Sequence, residues 1–334
     1  MTREKLTDIF AALGERLKDF GATHETAAVI ERATAANGWF TRADIVRAVE
    51  AIRSRMLERA KLEQWLADYP QLPVARPRTV GVIMAGNLPL VGFFDLLCTL
   101  TAGHACRYKP AAKDSVLTDY IVAQLREVWP QVPVEKYTDQ PLDAVIATGG
   151  DNAWRVFRAR FGGIPAIFRG NRTSVALLAG DETTGELEAL AEDVFSYSGL
   201  GCRNVSKLLL PRGYDVARLV EALDRHPMPN DKYRNNFVQR SAVLRMQQID
   251  HISGSFFLLR EDKAFPSAIS EITFSFYDTR EEALAWLTAH DDEIQCVVGR
   301  RVTHPRSTEF GGSQSPTLLD YPDGADVMQF LSEI

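Results

Sequence analysis

Long hydrophobic runs are missing from this 334-residue sequence. No stretch approaches the ~18 uncharged apolar residues of a membrane-spanning helix. The first nine residues carry charges throughout instead of the apolar core of a secretory signal. Positive charge is not in excess either: 38 Lys and Arg stand against 44 Asp and Glu, a formal net charge of −6. No overall positive field is therefore present to hold nucleic acid or an anionic membrane. Cysteine is scarce. The four cysteines form no C-x-x-C pair and the six histidines show no metal-type spacing with them, which argues against a zinc or disulfide framework. These shortages together point to a cytoplasmic protein with reduced thiols, no membrane span and no nucleic-acid partner.

What is present is ordinary globular material, 46% hydrophobic and 25% charged, at a length of about two domains of ~150 residues each. Leu6, Ile9, Phe10, Leu13, Leu17 and Phe20 recur at helical spacing, and Ile45, Val49, Ile52, Met56 and Trp65 predict a second long amphipathic helix. Pro73 and Pro77 end this helical segment, because each removes a donor and disfavours helix before it. Beyond them short β-rich runs alternate with longer helical ones, the pattern of a mostly parallel sheet covered by helices. The pattern predicts strands over 79–84, 105–109, 143–148, 174–179, 205–210, 256–260, 272–277 and 294–298. Helices are predicted over 89–102, 115–129, 152–161, 184–198, 214–225 and 279–290.

Several segments carry residues suited to chemistry. After the first strand, Gly86-Asn87-Leu88-Pro89 reads as a tight turn into a helix started by Pro89. Such a turn aims Asn87 at the carboxyl edge of the sheet, where ligands bind in open α/β folds; an asparagine there also suits a helix cap. Lys109 ends the next strand at the same edge, before Pro110. Gly149-Gly150 opens a helix whose terminal N–H groups suit a phosphate. Cys202 lies in the turn Gly199-Leu200-Gly201-Cys202-Arg203, with glycine and arginine as neighbours. A nearby cation favours thiolate, whereas Cys98, Cys106 and Cys296 each lie inside apolar runs and read as small buried hydrophobes.

Taken in order, Ala85-Gly86-Asn87-Leu88-Pro89-Leu90, Tyr108-Lys109-Pro110, Ala147-Thr148-Gly149-Gly150 and Gly199-Leu200-Gly201-Cys202 resemble the aldehyde dehydrogenase superfamily. The matching stretches there are an N-x-P turn, a K-P strand end, a T-G-S or T-G-G turn and a G-Q-x-C loop. Within that superfamily the Gly199–Lys207 and Gly86–Gly92 stretches are similar to the Lux-type acyl-CoA or acyl-protein thioester reductases, in their shorter form. The likeness covers about residues 78–331. It implies an α/β, aldehyde dehydrogenase-like fold with a helical N-terminal segment (1–75), a Rossmann-type NADP-binding domain (76–170), an α/β catalytic domain carrying Cys202 (171–305) and a returning tail (306–334). The active site would lie between the two domains. The tail's 317–321 stretch looks strand-like and suggests contact with the cofactor domain or a second subunit in a homodimer.

By the same resemblance Cys202 is the nucleophile that attacks a thioester carbonyl and becomes acylated, and Asn87 with the Cys202 backbone N–H stabilises the oxyanion. Lys109 binds the cofactor ribose, Gly149 and Gly150 approach the cofactor, and Asp262 matches the carboxylate that holds the nicotinamide ribose. Two departures refine this. No Asp or Glu occurs from residue 152 to 180, so the glutamate with which hydrolytic relatives activate water is missing. After Lys109-Pro110, where NAD-preferring relatives place a glutamate, this chain has Ala111-Ala112-Lys113; losing an anion and gaining Lys113 favours NADPH, with NADH the alternative. Arg155, Arg158, Arg160, Arg169 and Arg172 could meet a carrier phosphate, or for the first three form a solvated helix face. The expected activity is NADPH-dependent reduction of an acyl-CoA or acyl-carrier thioester to an aldehyde, with room for an acyl-transferring partner protein. The rival readings are an acyltransferase or thioesterase using the same cysteine without redox chemistry, and a catalytically silent subunit.

Overall fold

The computed structural model describes residues 1–266 and 268–334, Asp151 by its backbone alone. It divides into two compact units: 1–171 with 317–321 and 325–334, and 172–316 with 322–324.

The first unit opens with four helices, α1 (Arg3–Arg16), α2 (His24–Ala36), α3 (Arg42–Ala51) and α4 (Arg59–Ala67). Threonines start the first three: the hydroxyls of Thr2, Thr23 and Thr41 each accept from an N–H one turn on, the last two within reciprocal capping boxes. The single long helix expected through Trp65 is instead two, because the turn after α3 widens and ends at Leu57 before α4 begins. Then come β1 (Thr79–Ile83), α5 (Phe93–Thr101), β2 (Ala105–Lys109), α6 (Ser115–Val128), β3 (Val134–Lys136), β4 (Ala144–Thr148), α7 (Asp151–Phe161) and β5 (Ala166–Arg169). The five strands are parallel in the order β3-β2-β1-β4-β5. Strand order reverses between β1 and β4, and the crevice outside their carboxyl ends is where open α/β sheets bind ligands.

One apolar core joins Leu6, Phe10 and Leu13 of α1, Trp65 of α4, Val80 and Val82 of β1, and Leu96 and Leu97 of α5. Leu318 and a final helix, Val327–Glu333, contribute Val327, Met328 and Leu331 to it. Tyr321 is tied there as well, its hydroxyl accepting from Trp65 Nε1 (2.7 Å) and lying 2.6 Å from the Tyr69 hydroxyl. The strand expected over 317–321 is a turn, closed by Asp320, whose Oδ2 accepts from the Thr317 N–H and hydroxyl.

The second unit contains β6 (Thr173–Leu177), α8 (Thr184–Phe195), β7 (Val205–Pro211), α9 (Val216–Asp224), α10 (Asp231–Met246), β8 (Ile252–Ser253), β9 (Leu258–Glu261), β10 (Glu271–Tyr277), α11 (Arg280–Ala289), β11 (Ile294–Val298) and β12 (Ser307–Thr308). Among the described residues its sheet runs β12-β11-β6-β7-β10-β9-β8, parallel except for β8 against β9. Strands β6, β7 and β11 are almost wholly buried, as expected when helices cover both faces of a parallel sheet. No described helix is long and apolar enough to cross a membrane.

Candidate active site

Cys202 is exposed and in no disulfide, while Cys98, Cys106 and Cys296 are buried. Burial pushes the Cys98 and Cys106 thiols well up, which keeps them protonated and unreactive.

The loop that presents Cys202 departs from helix earlier than its glycines predict. α8 stops at Phe195, and Tyr197 (φ 53°), Ser198 (φ 58°) and Gly199 (φ 65°) are all left-handed. Two of the three carry a Cβ, and each such residue costs roughly 1–2 kcal/mol in this conformation. Their surroundings hold them there. Asn204, buried two residues after Cys202, shares its side-chain amide hydrogens among the carbonyls of Asp193 (3.2 Å), Val194 (3.1 Å) and Ser196 (2.8 Å). Its Oδ1 accepts from the Gly201 N–H at 2.8 Å. One side chain thus ties the end of α8 to both flanks of the cysteine turn.

From outside, the Asn230 amide donates to Ser198 Oγ at 2.7 Å, while Asn230 Oδ1 caps α10 through the Tyr233 N–H (2.9 Å). α10 is anchored in turn by Arg240, whose Nε donates to the fully buried Glu271 at 2.5 Å. The Cys202 carbonyl accepts from Ser174 Oγ on β6 at 2.9 Å. The sequence marks Cys202 by its glycine neighbours. Asn204, Asn230 and Ser174 look unremarkable in it, because most of their contacts are to residues 8 to 32 positions away.

Asp262 does not join this loop. Phe274 pairs with both Glu261 and Leu208, which sets Asp262 level with Leu209, whereas Cys202 precedes the first residue of β7. The Asp262 carboxylate is engaged by Arg260 and by the Ala264 N–H (2.9 Å), and these contacts hold its pKa down. This register sets Asp262 farther along the sheet than the start of β7. The Asp262 carbonyl also receives the ammonium of Lys207, a fully buried lysine of β7 whose pKa burial lowers to about 8.

The remaining candidates gather at one sheet edge of the first unit. Lys109 is exposed at the end of β2, level with Ile83 of β1, and Lys113 is exposed in the single 3-10 turn Ala112–Asp114 that follows. Gly149 and Gly150 follow β4. A Cβ on Gly149 would fall 2.8 Å from the Ala153 Cβ, so glycine lets α7 pack tightly on this turn. Gly150 caps α7 with no side-chain hydrogen bond, and the N-terminus of this eleven-residue helix is of the kind that suits an anion.

Asn87 is exposed after β1. It is not a helix cap: α5 starts at Phe93 with Gly92 as its cap, and Pro89 lies in the preceding turn. Two cations, a glycine-lined turn and the reversal of strand order thus lie at the edge where open α/β sheets bind ligands.

Two arginines expected to meet a carrier phosphate are committed elsewhere. Arg169 is buried against Asp95 at 2.7 Å, and Arg172 donates to the carbonyls of Asp291 and Ile294. Arg155, Arg158 and Arg160 lie on the exposed face of α7, with Arg158 over Trp154 and Arg160 over Tyr137.

No curated protein matches the sequence. Among solved structures the chain is similar to aldehyde dehydrogenase 21 from Physcomitrella patens, in complex with the reaction product succinate, at 11% identity and a TM-score of 0.70 over 100% of this chain and 84% of that one. It is similar to an acetylating aldehyde dehydrogenase from Geobacillus thermoglucosidasius at 13% and 0.64, over 95% and 84% of the two chains. A Mycobacterium tuberculosis aldehyde dehydrogenase complexed with NAD+ gives 15% and 0.62, over 89% and 73%. At these identities the likeness establishes the aldehyde dehydrogenase fold. A sequence profile for acyl-CoA reductase (LuxC) matches residues 15–225, more than half of the chain, and the protein belongs to that family.

Proposed function

We propose that the protein reduces an acyl thioester, borne by coenzyme A or by an acyl carrier, to an aldehyde at the expense of NADPH. The observation that carries this reading is an exposed thiol on a turn built of left-handed residues and fixed by Asn204 and Asn230. The Cys202 thiolate adds to the thioester carbonyl; the bond to the donor sulfur breaks, the donor leaves as a thiol after taking up a proton, and the acyl group stays on Sγ. Asn87 is the side-chain donor to the oxyanion, assisted by the Cys202 N–H. Removing one such donor typically costs about 10²–10³ in rate.

Lys109 would bind the cofactor ribose, Lys113 the 2′-phosphate, and Gly149 and Gly150 the backbone approach at the start of α7. When bound, the reduced nicotinamide supplies the hydride that releases the acyl group as an aldehyde. The chain's own contribution at that stage is to withhold water: with no carboxylate between residues 152 and 180 to act as base, the acyl-enzyme survives until reduction.

Incubation of the purified protein with acyl-CoA and either NADPH or NADH tests the reading. Aldehyde formed with matching nucleotide oxidation, faster with NADPH, supports it. Acyl transfer or hydrolysis without nucleotide oxidation would make the protein an acyltransferase or thioesterase. Absence of both turnover and adduct would overturn a catalytic role.

A further inference from the structure

The turn that carries Asn87 does not hold itself. Between β1 and α5, Leu90 adopts a left-handed backbone (φ 57°), a conformation costing a residue with a Cβ roughly 1–2 kcal/mol. Its N–H donates to Asp114 Oδ2 at 2.9 Å. Asp114 is 2% exposed. It directly follows Lys113, at the end of the 3-10 turn Ala112–Asp114. A second contact lies on the other side of Asn87. A Cβ built on Gly86 would fall 2.5 Å from the Ala111 Cβ and 3.6 Å from the Asp114 Cβ. The Asn87 turn therefore rests on the Lys113 turn at two points that bracket Asn87, one steric and one hydrogen-bonded.

We propose that Asp114 is a positioning residue: it locks the Asn87 turn onto the turn bearing Lys113, so that the oxyanion donor is placed before the substrate arrives. This rests on the reading of Asn87 as that donor. An exposed amide stabilises a developing charge only if it is held in place beforehand, since otherwise its ordering is charged against the reaction. The Asp114 side chain is suited to the task. Oδ2 accepts from Leu90 and also, at 3.5 Å, from the Thr118 hydroxyl, while Oδ1 has no hydrogen-bond partner among the described residues. Burial pushes the carboxyl up to about 8, which keeps it neutral around pH 7. An amide of the same shape should replace it.

The test compares the wild type with Asp114→Ala, Asp114→Asn, Gly86→Ala and each combined with Asn87→Ala. Two readouts are taken: the single-turnover rate of Cys202 acylation by acyl-CoA without reduced nucleotide, followed by intact mass, and hydrogen exchange at the Leu90 amide. Asp114→Ala should slow acylation by about 10- to 100-fold, within the ~10²–10³ available from losing the donor itself, and should speed Leu90 exchange. Asp114→Asn should stay within about threefold of wild type in both, a rescue that lost folding would not show. In the Asn87→Ala background neither Asp114→Ala nor Gly86→Ala should slow acylation further, because residues acting through one group are not additive. Equal slowing in both backgrounds would overturn the proposal. So would unchanged Leu90 exchange in Asp114→Ala, or in Gly86→Ala if the first variant does not fold. A wild type that is never acylated sinks the functional reading instead, and the exchange data still decide whether the lock exists.

Discussion

The two units present their candidate groups from opposite ends of their strands. In the first, Asn87, Lys109, Lys113, Gly149 and Gly150 lie at or just beyond the carboxyl ends of β1, β2 and β4. In the second, Cys202 precedes the amino end of β7. The difference is physical. At a carboxyl edge the topology brings neighbouring turns together, so several residues share one task. At the amino end of β7 nothing in the topology presents a thiol, and the loop instead depends on left-handed residues held by a few buried amides. Substitution at the first site should cost rate, and substitution in the staple of the second should cost both rate and stability.

The largest expected effect is at the thiol. Cys202→Ala should abolish the acyl adduct and aldehyde formation while NADPH affinity, measured by titration, stays as in wild type; an adduct on the variant would remove Cys202 from the chemistry. Next comes Asn87→Ala, with a loss of about 10²–10³ in kcat and only a small shift of the urea midpoint. A kcat within a few-fold of wild type would strip Asn87 of its role. Asn204→Ala removes a buried amide that serves four backbone groups, so it should cost about 2–4 kcal/mol of stability in urea unfolding as well as activity. A stability loss no larger than that of Asn87→Ala would erase the contrast between the two sites. Lys113→Glu should narrow the preference for NADPH over NADH by up to about fivefold, since an exposed charge contact is worth ~0.2–1 kcal/mol; an unchanged ratio would move the 2′-phosphate elsewhere.

Stability should also depend on pH, with opposite sign in the two units. Burial raises the Asp114 pKa from 3.8 to about 8. The folded state therefore holds a proton that the unfolded chain has lost, and stability drains away as pH rises between those values. Burial lowers the Lys207 pKa from 10.5 to about 8, so here the unfolded chain binds the extra proton and stability grows from about pH 8 to 10.5. Urea midpoints against pH should show the fall flattened by Asp114→Asn and the rise flattened by Lys207→Met. Slopes left unchanged by the substitutions would place the titrations on other groups.

Legibility in the sequence followed the range of the forces involved. The strands Ala105–Lys109 and Ile294–Val298 have the bounds that apolar patterning predicts, because burial on a covered sheet is written into neighbouring residues. α10 escaped that pattern: its sixteen residues are mostly polar, and Tyr233, Ser241 and Leu244 are its buried ones. β5 was likewise hidden, a four-residue strand only half-buried for most of its length. The premature start assigned to α5 at Pro89 has a tertiary cause, since Asp114 holds Leu90 in a conformation no helix permits. At the sites, the exposure of Cys202 and the strand-end position of Lys109 were written in local motifs. The staple made by Asn204 could not be read there, nor could the place of Asp262, because the alignment of β9, β10 and β7 is set by pairing across the sheet.

The central claim is that the Cys202 sulfur carries the acyl group on its way to the aldehyde. A single-turnover experiment tests it most directly: protein is loaded with acyl-CoA in the absence of reduced nucleotide, the acylated peptide is located by mass spectrometry, and NADPH is then added. The account predicts one acyl group on the Cys202 peptide, stable for many turnover times, that disappears on addition of NADPH with one equivalent of aldehyde released. An acyl group found on another residue, or one that leaves Cys202 only as free acid, would contradict it.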